Sequence, residues 1–185
     1  MFFARTQIIS PHKPTLRNTQ EYIMRILVVS DTHGRHMNLR RILELVEPDK
    51  VYHLGDSEGF TDEITKAAGV PCEFVEGNCD GYSGMYLPGF LVMKVGNHNA
   101  LLCHGHQLRV KYGPETLVKF AKEKGCDIAL YGHTHIPHLE VIDGVTVMNP
   151  GSCSQPRQDG RKISYGVLLV DDQGDVDFAI RYLED

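Results

Sequence analysis

Five short polar clusters, each placed just past an apolar run, constrain this chain more than any other feature. Asp31-Thr-His33 follows the run 26–29, Gly55-Asp56 follows 51–54, and Gly77-Asn78-Cys79-Asp80 follows 73–75. His104-Gly-His106 follows 101–103, and Gly132-His133-Thr-His135 follows 128–131. Short apolar runs bounded by turn residues read as buried strands. In open α/β sheets, ligands gather in the crevice beyond the carboxyl ends of such strands. The order therefore predicts an α/β fold with one site assembled from five strand ends. Asp31/His33 and His133/His135 are each two residues apart, the spacing at which an extended backbone points both side chains to one side.

The residue types say what that site is for. Asp31, His33, Asp56, Asn78, His104, His133 and His135 are carboxylate, carboxamide and imidazole donors without a thiolate. Such a set suits two ions of the Mn, Fe, Ni, Co or Zn kind in open sites, not a closed structural zinc cage. A pair of ions with open positions is a device for hydrolysis at phosphorus. Any one cluster alone is an ordinary turn, since Gly-Asp commonly marks one; the series of five carries the reading.

Composition narrows the class. At 185 residues the chain makes one domain with a sizeable core. A formal net charge of -5 argues against a nucleic-acid-binding surface. Cys72, Cys79, Cys103, Cys126 and Cys153 are odd in number and include no Cys-x-x-Cys, which predicts free thiols in a reducing cytoplasm. No stretch approaches the roughly 18–20 apolar residues of a membrane span. Residues 1–23 read as an extension ahead of a domain spanning 24–185, with Met24 as the natural start of the first strand. Phe2-Phe3-Ala4 is too short for a signal-peptide core. The other reading of the extension is an arm packed on a neighbouring subunit, which leaves a homo-oligomer open.

Between the clusters, apolar spacing predicts a helix over Met37–Val46 stopped by Pro48, a shorter one over 62–68, and a third opened by Pro114 and closed by Gly125. Leu117, Phe120 and Ala121 make the buried face of the third. Three hairpins follow from turn signals: Phe90–Val95 with 99–103, His138–Ile142 with 145–148, and 163–170 with Val176–Tyr182.

Ser30-Asp-Thr-His-Gly34, Leu54-Gly-Asp56, Gly77-Asn-Cys-Asp80, His104-Gly-His106 and Gly132-His-Thr-His135 resemble, in order, the signature of the calcineurin-like metallophosphoesterases. Asn149-Pro-Gly-Ser152 with Pro156-Arg157 is similar to the small bacterial and archaeal YfcE-like subfamily, and the likeness spans about residues 24 to 182. The resemblance implies a four-layer α/β/β/α sandwich of two mixed sheets and a metal-dependent phosphodiesterase acting on a small phosphoester. It implies two divalent ions, Mn2+ or Ni2+ ahead of Fe2+, Co2+ or Zn2+. Asp31, His33 and His135 would hold one, Asn78, His104 and His133 the other, with Asp56 bridging and a shared hydroxide attacking phosphorus in line. Asn78 would also touch a phosphate oxygen through its NH2.

Where many members have Gly-Asn-His, with that His protonating the leaving group, this chain has Cys79. A thiol of ordinary pKa about 8.5 stands in poorly for an imidazole near 6.5, and nearby cations would favour the thiolate further. Activity should therefore lean toward good leaving groups. His106 is the expected substitute proton donor or phosphate contact, against a structural histidine bonded to a backbone carbonyl. Arg35, Arg157 and Cys79 are candidate substrate contacts, against two ordinary surface arginines. His36, His53, His98 and His138 have no partner pattern and read as structural or exposed; His12 lies in the extension. A second class of function is a protein-interaction scaffold, because the same segments resemble the phosphoesterase-like subunit of retromer. That family has Asp and Phe in place of Asn78 and Cys79, whereas this chain keeps Asn78 and the whole donor set.

Overall fold

A computed structural model describes residues 22–82, 84 and 86–184. The chain runs β1 (Tyr22–Val29), α1 (Met37–Val46), β2 (Lys50–His53), α2 (Thr61–Ala68), β3 (Cys72–Phe74), β4 (Phe90–Val95) and β5 (His98–Cys103). It continues through α3 (Glu115–Glu123), β6 (Ile128–Leu130), β7 (His138–Ile142), β8 (Val145–Asn149), β9 (Ser164–Asp171) and β10 (Val176–Tyr182). Two five-stranded mixed sheets result, ordered β10-β9-β1-β2-β3 and β4-β5-β6-β8-β7. In the first, β1, β2 and β3 are parallel and β9 is antiparallel to β1. In the second, β5, β6 and β8 are parallel, with β4 and β7 as antiparallel edges.

Alternation along the strands builds the layers. Ile26 and Val28 of β1 face inward and pack with Leu102, Ile128 and Leu130 of the other sheet. Leu27 and Val29 point the opposite way, onto Leu39, Ile42 and Val46 of α1 and Ile64 of α2. Leu101 and Cys103 of β5 likewise turn outward, beneath Leu117, Val118 and Ala121 of α3. Because successive strand residues alternate faces, strands apolar on both faces must be covered on both, which gives the expected helix/sheet/sheet/helix sandwich. The parallel strands all end at one edge, so the loops following β1, β2, β5 and β6 open on the same side.

Several boundaries differ from the sequence reading. β1 begins at Tyr22, two residues before Met24; Tyr22 pairs with Asp171 of β9, and its hydroxyl donates to Asp177 of β10. α1 keeps its expected span, Met37–Val46, and is closed by Glu47 in left-handed backbone (φ 46°), whose N–H donates to Leu43 O, one residue before Pro48. Pro114 caps α3 and does not form its first turn, and Val118 takes the buried place expected of Phe120, which is only partly buried. All five cysteines are free, with Cys103, Cys126 and Cys153 buried. Residues 1–21, and so His12 and most of the extension, lie outside the described residues. Among those described, no helix is long and apolar enough to cross a membrane.

Candidate metal centre

Five of the seven donor residues sit in left-handed backbone: Asp31 (φ 56°), His33 (45°), Asp56 (57°), His133 (68°) and His135 (60°). The i, i+2 pairs therefore do not converge through extended chain, as their spacing suggested; tight loops turn them inward. Left-handed backbone is costly for residues with a Cβ, on the order of 1–3 kcal/mol each, and persists only where the surroundings over-determine it. Here the loops are laced together. Asp31 N donates to Gly55 O at 3.1 Å, His33 N to Asp56 O at 3.0 Å, and Gly132 N to His104 O at 3.1 Å. Asp31 Oδ2 accepts from His133 N at 3.1 Å. Gly77 and Gly132 are needed for closeness: a Cβ on Gly77 would collide with the Asp56 carboxylate, and one on Gly132 with Ser30 Oγ.

The donor atoms meet. Asp31 Oδ1 lies 3.1 Å from His135 Nε2, 3.9 Å from His104 Nε2 and 4.0 Å from His33 Nε2. His33 and His135 approach to 3.3 Å between their Nε2 atoms. Asp56 Oδ2 stands between two groups, 3.7 Å from His33 Nε2 and 3.4 Å from His104 Nε2. His104 Nε2 is 3.2 Å from Asn78 Oδ1, and the His133 ring is centred 5.1 Å from that of His104.

Partners outside the centre aim these rings. His104 Nδ1 donates to Leu54 O and His135 Nδ1 to Gln155 O, both at 2.7 Å, while His33 Nδ1 donates to Glu58 at 2.7 Å. With Nδ1 carrying the proton, each ring turns a bare Nε2 lone pair inward, the arrangement by which outer hydrogen bonds prepare metal-binding histidines. Asp80, buried, accepts from Asp56 N and Gly77 N at 2.8 Å, from Ser57 Oγ at 3.0 Å and from Glu58 N at 2.7 Å. It thereby ties the Asp56 loop to the Asn78 loop. Ser152 and Ser154 hydroxyls donate to Asp31 O at 2.8 and 2.9 Å, and Asn149 Nδ2 donates to Gly132 O at 2.7 Å. The Asn149–Ser152 segment is thus a brace for Asp31 and the His133–His135 loop. None of these bracing roles was readable from the sequence, although Asp80 and Asn149 belong to the motifs that carried the resemblance.

The electrostatics fit a cation. Burial pushes the Asp31 carboxyl up, but the adjacent His135 and His104 outweigh it and hold it below its ordinary value. Burial likewise opposes ionisation of Asp56, and His104 and the Cys79 N–H overcome it. His104 is held up by Asp56 and Asp31 against burial, so the two carboxylates call for positive charge at this point. His133 is pushed down to about 4 by burial, His104 and Lys111, which leaves it neutral and able to donate a lone pair. Asp31 Oδ1 is buried yet has no hydrogen-bond partner. A carboxylate oxygen left bare among three imidazole nitrogens is poorly satisfied by protein alone, and a divalent ion would satisfy all four. The family's divalent metals therefore fit the residues present.

The other candidates lie around this core. Cys79 N donates to Asp56 Oδ1 at 2.8 Å, and Asn78 Nδ2 donates to Cys79 Sγ at 3.2 Å. Burial and the carboxylate of Asp56 push the Cys79 thiol up to about 11, while the thiolate expected from the sequence depends on cations bound beside it. The His106 ring is 5.4 Å from His104 and 6.0 Å from His133, and its Nδ1 has no partner, so the expected bond to a carbonyl is not made there. Arg35 is exposed and lines a groove of about 460 Å3 with Gly34, His36, Met37, Asn38 and Ser154, directly after the first donor pair. Arg157 is exposed, and its N–H donates to His135 O at 3.1 Å. The remaining described histidines are structural or partly exposed, as expected. His53 is buried against Thr32 Oγ1 at 3.0 Å, His98 bonds Asp127 at 2.6 Å, His138 lies 2.9 Å from the Tyr131 hydroxyl, and His36 packs on Phe60.

Comparison with known proteins gives the family and the fold. The calcineurin-like phosphoesterase superfamily domain matches residues 24–173. The probable metallophosphoesterase YsnB of Bacillus subtilis is 35% identical over 150 residues, covering 80% of this chain and 85% of YsnB. Phosphodiesterase YfcE of Escherichia coli K12 is 29% identical over 169 residues, covering 79% and 88%. A predicted phosphoesterase of Streptococcus pneumoniae superposes with a TM-score of 0.70 at 30% identity, covering 86% of this chain and 97% of that one. Vacuolar Protein Sorting 29 of Cryptosporidium parvum shares the fold at a TM-score of 0.69 and 18% identity, covering 89% and 100%. With a domain match over most of its length and a relative at 35% identity, the chain belongs to the calcineurin-like phosphoesterase superfamily.

Proposed function

We propose that this protein is a phosphodiesterase that hydrolyses small phosphoesters at a centre for two divalent ions, Mn2+ or Ni2+ in preference to Fe2+, Co2+ or Zn2+. Asp31, His33 and His135 hold one ion, Asn78, His104 and His133 the other, and Asp56 lies between them. The observation that carries this reading is Asp31 Oδ1, buried without a partner and surrounded by the Nε2 atoms of His33, His104 and His135. When bound, such ions supply an acidified water and positive charge opposite the phosphoryl oxygens.

The chain's own residues do the rest. Asn78, exposed at the mouth, offers its NH2 to a phosphate oxygen as well as Oδ1 to the centre. His106 stands beside His104 and His133 with its Nδ1 buried, and its other ring nitrogen is the one that contacts the phosphate. Arg35 and Arg157 stand on the rim on the side of Asp31 and His135 and steer the anionic substrate. Cys79 is a weak acid beside Asp56, so the leaving group departs with little help, and esters with good leaving groups react best. Residues 1–23 lie outside the catalytic unit, and the protein works in the cytoplasm.

The likeness to Vacuolar Protein Sorting 29 supports a partner-binding scaffold only at the level of the fold. The complete donor set favours hydrolysis. The test is to strip the protein of metal, reload it with Mn2+, Ni2+, Fe2+ or Zn2+, and assay nitrophenyl mono- and diesters. Diester hydrolysis restored by Mn2+ or Ni2+ is expected; no hydrolysis with any ion would leave the scaffold reading standing.

A further inference from the structure

The donor set legible in the sequence contains no sulfur, but the fold brings one to it. Cys79 Sγ, a ring nitrogen of His33 and a carboxylate oxygen of Asp56 all lie within 4.8 Å of one another. The convergence is built, not incidental. The Cys79 N–H donates to Asp56 Oδ1 at 2.8 Å and locks the residue against that carboxylate. Asn78 Nδ2 donates to Sγ at 3.2 Å, so the sulfur already serves as an acceptor. His33 is aimed from behind by Glu58, which leaves its Nε2 3.7 Å from Asp56 Oδ2. A second observation points to a cation at the same place: Asp31 Oδ1, in a fully buried side chain, has no partner and faces His33 Nε2 at 4.0 Å. Sulfur, imidazole and carboxylate together form a softer donor set than oxygen and imidazole alone, and thiolates favour Zn2+ over Mn2+.

We infer that Cys79 is a metal ligand for thiophilic ions, joining His33 and Asp56 around Zn2+ in a second mode of occupancy at the proposed centre. The inference rests on reading that centre as metal-binding. As the sulfur–zinc bond forms, the S–H bond breaks and its proton passes to solvent; nothing is oxidised or reduced. Mn2+, which prefers oxygen and imidazole donors, leaves the sulfur unbound. Zinc therefore competes with Mn2+ through a bond that Mn2+ does not make, and the centre discriminates between them by a residue outside the seven-donor set.

The test uses the full-length protein stripped of metal and titrated with Co2+ as a spectroscopic substitute for Zn2+. A near-ultraviolet thiolate-to-cobalt charge-transfer band is expected in the parent protein and absent from Cys79→Ser and Cys79→Ala. Zn2+ affinity should fall at least about tenfold in both variants, the loss that even the outer partners of a metal site cause, while Mn2+ affinity changes little. A third arm needs no variant: Zn2+, but not Mn2+, should shield Cys79 from alkylation, read by peptide mass spectrometry. Cobalt d–d bands without the charge-transfer band, a band that survives in Cys79→Ser, or equal alkylation with and without Zn2+ would overturn the role of Cys79 and leave the metal centre intact. Failure of both Co2+ and Mn2+ to bind would remove the centre itself.

Discussion

Asp56 touches more of the proposed chemistry than any other side chain. Its Oδ2 faces both His33 and His104, and its Oδ1 accepts the Cys79 N–H. Asp56→Asn keeps the shape and removes one charge from a point shared by both ions. Metal analysis of that variant should show most binding lost, with hydrolysis reduced essentially to background; parental stoichiometry and rate would refute the bridging role. Cys79 makes a separate prediction. If the missing imidazole limits protonation of the leaving group, Cys79→His should raise kcat/KM chiefly for alkyl esters and much less for nitrophenyl esters. A positioned general acid typically contributes about 10²–10⁴-fold; this pocket was not built around one, so only part of that is expected. An equal change for both ester types at unaltered metal content would mean that Cys79 does not face the leaving group.

At the scale of the element, the site is a set of loops held by strand ends, and Asp80 is the knot between two of them. Its carboxylate accepts four hydrogen bonds from the Asp56, Ser57, Glu58 and Gly77 segment ends. Asp80→Asn turns an NH2 group toward buried donors, and each donor left unpaired costs about 1–3 kcal/mol. Chemical denaturation should register a loss of about 2–4 kcal/mol, and Mn2+ affinity should fall about 10–100-fold, as for other outer partners of metal sites. An unchanged Mn2+ affinity would show that the loops hold their ligands without Asp80. The strands and the donors after them were legible because burial writes apolar runs and turn chemistry writes the residues that end them. α1 was read residue for residue, since Leu39, Ile42, Leu43 and Val46 repeat at helical spacing. The loop geometry was not legible. Nothing in Asp31-Thr-His33 announces a left-handed backbone, because that strain is sustained by Gly55, Asp56 and the serines at 152 and 154, which are distant in sequence. For the same reason a thiol at Cys79 read as a missing acid, while its approach to His33 and Asp56 became visible only in three dimensions.

For the whole molecule, two sheets face each other across one core, and the strand ends of both contribute to the centre. β1 and β2 supply Asp31, His33 and Asp56 from one sheet, while β5 and β6 supply His104, His133 and His135 from the other. The centre therefore exists only when the sandwich is closed. All seven proposed donors lie after Tyr22 in the sequence. Removing residues 1–21 should leave stability and metal-dependent rate intact. Removing residues 1–23 should keep the rate but lower stability by about 1 kcal/mol, the scale of one hydrogen bond, because Tyr22 joins β1 to Asp177 of β10. Thermal melts and rates of both truncations check this; an altered oligomeric state in either would identify the extension as a structural arm.

Two ions sharing Asp56 are the core of the proposed chemistry, and Mn2+ titration of the metal-free protein followed by electron paramagnetic resonance tests that most directly. Two ions per chain are expected, with a spin-coupled signal that grows with the second equivalent and diester hydrolysis that rises with it. A single uncoupled Mn2+ at full activity, or hydrolysis that persists with no bound metal, would contradict it.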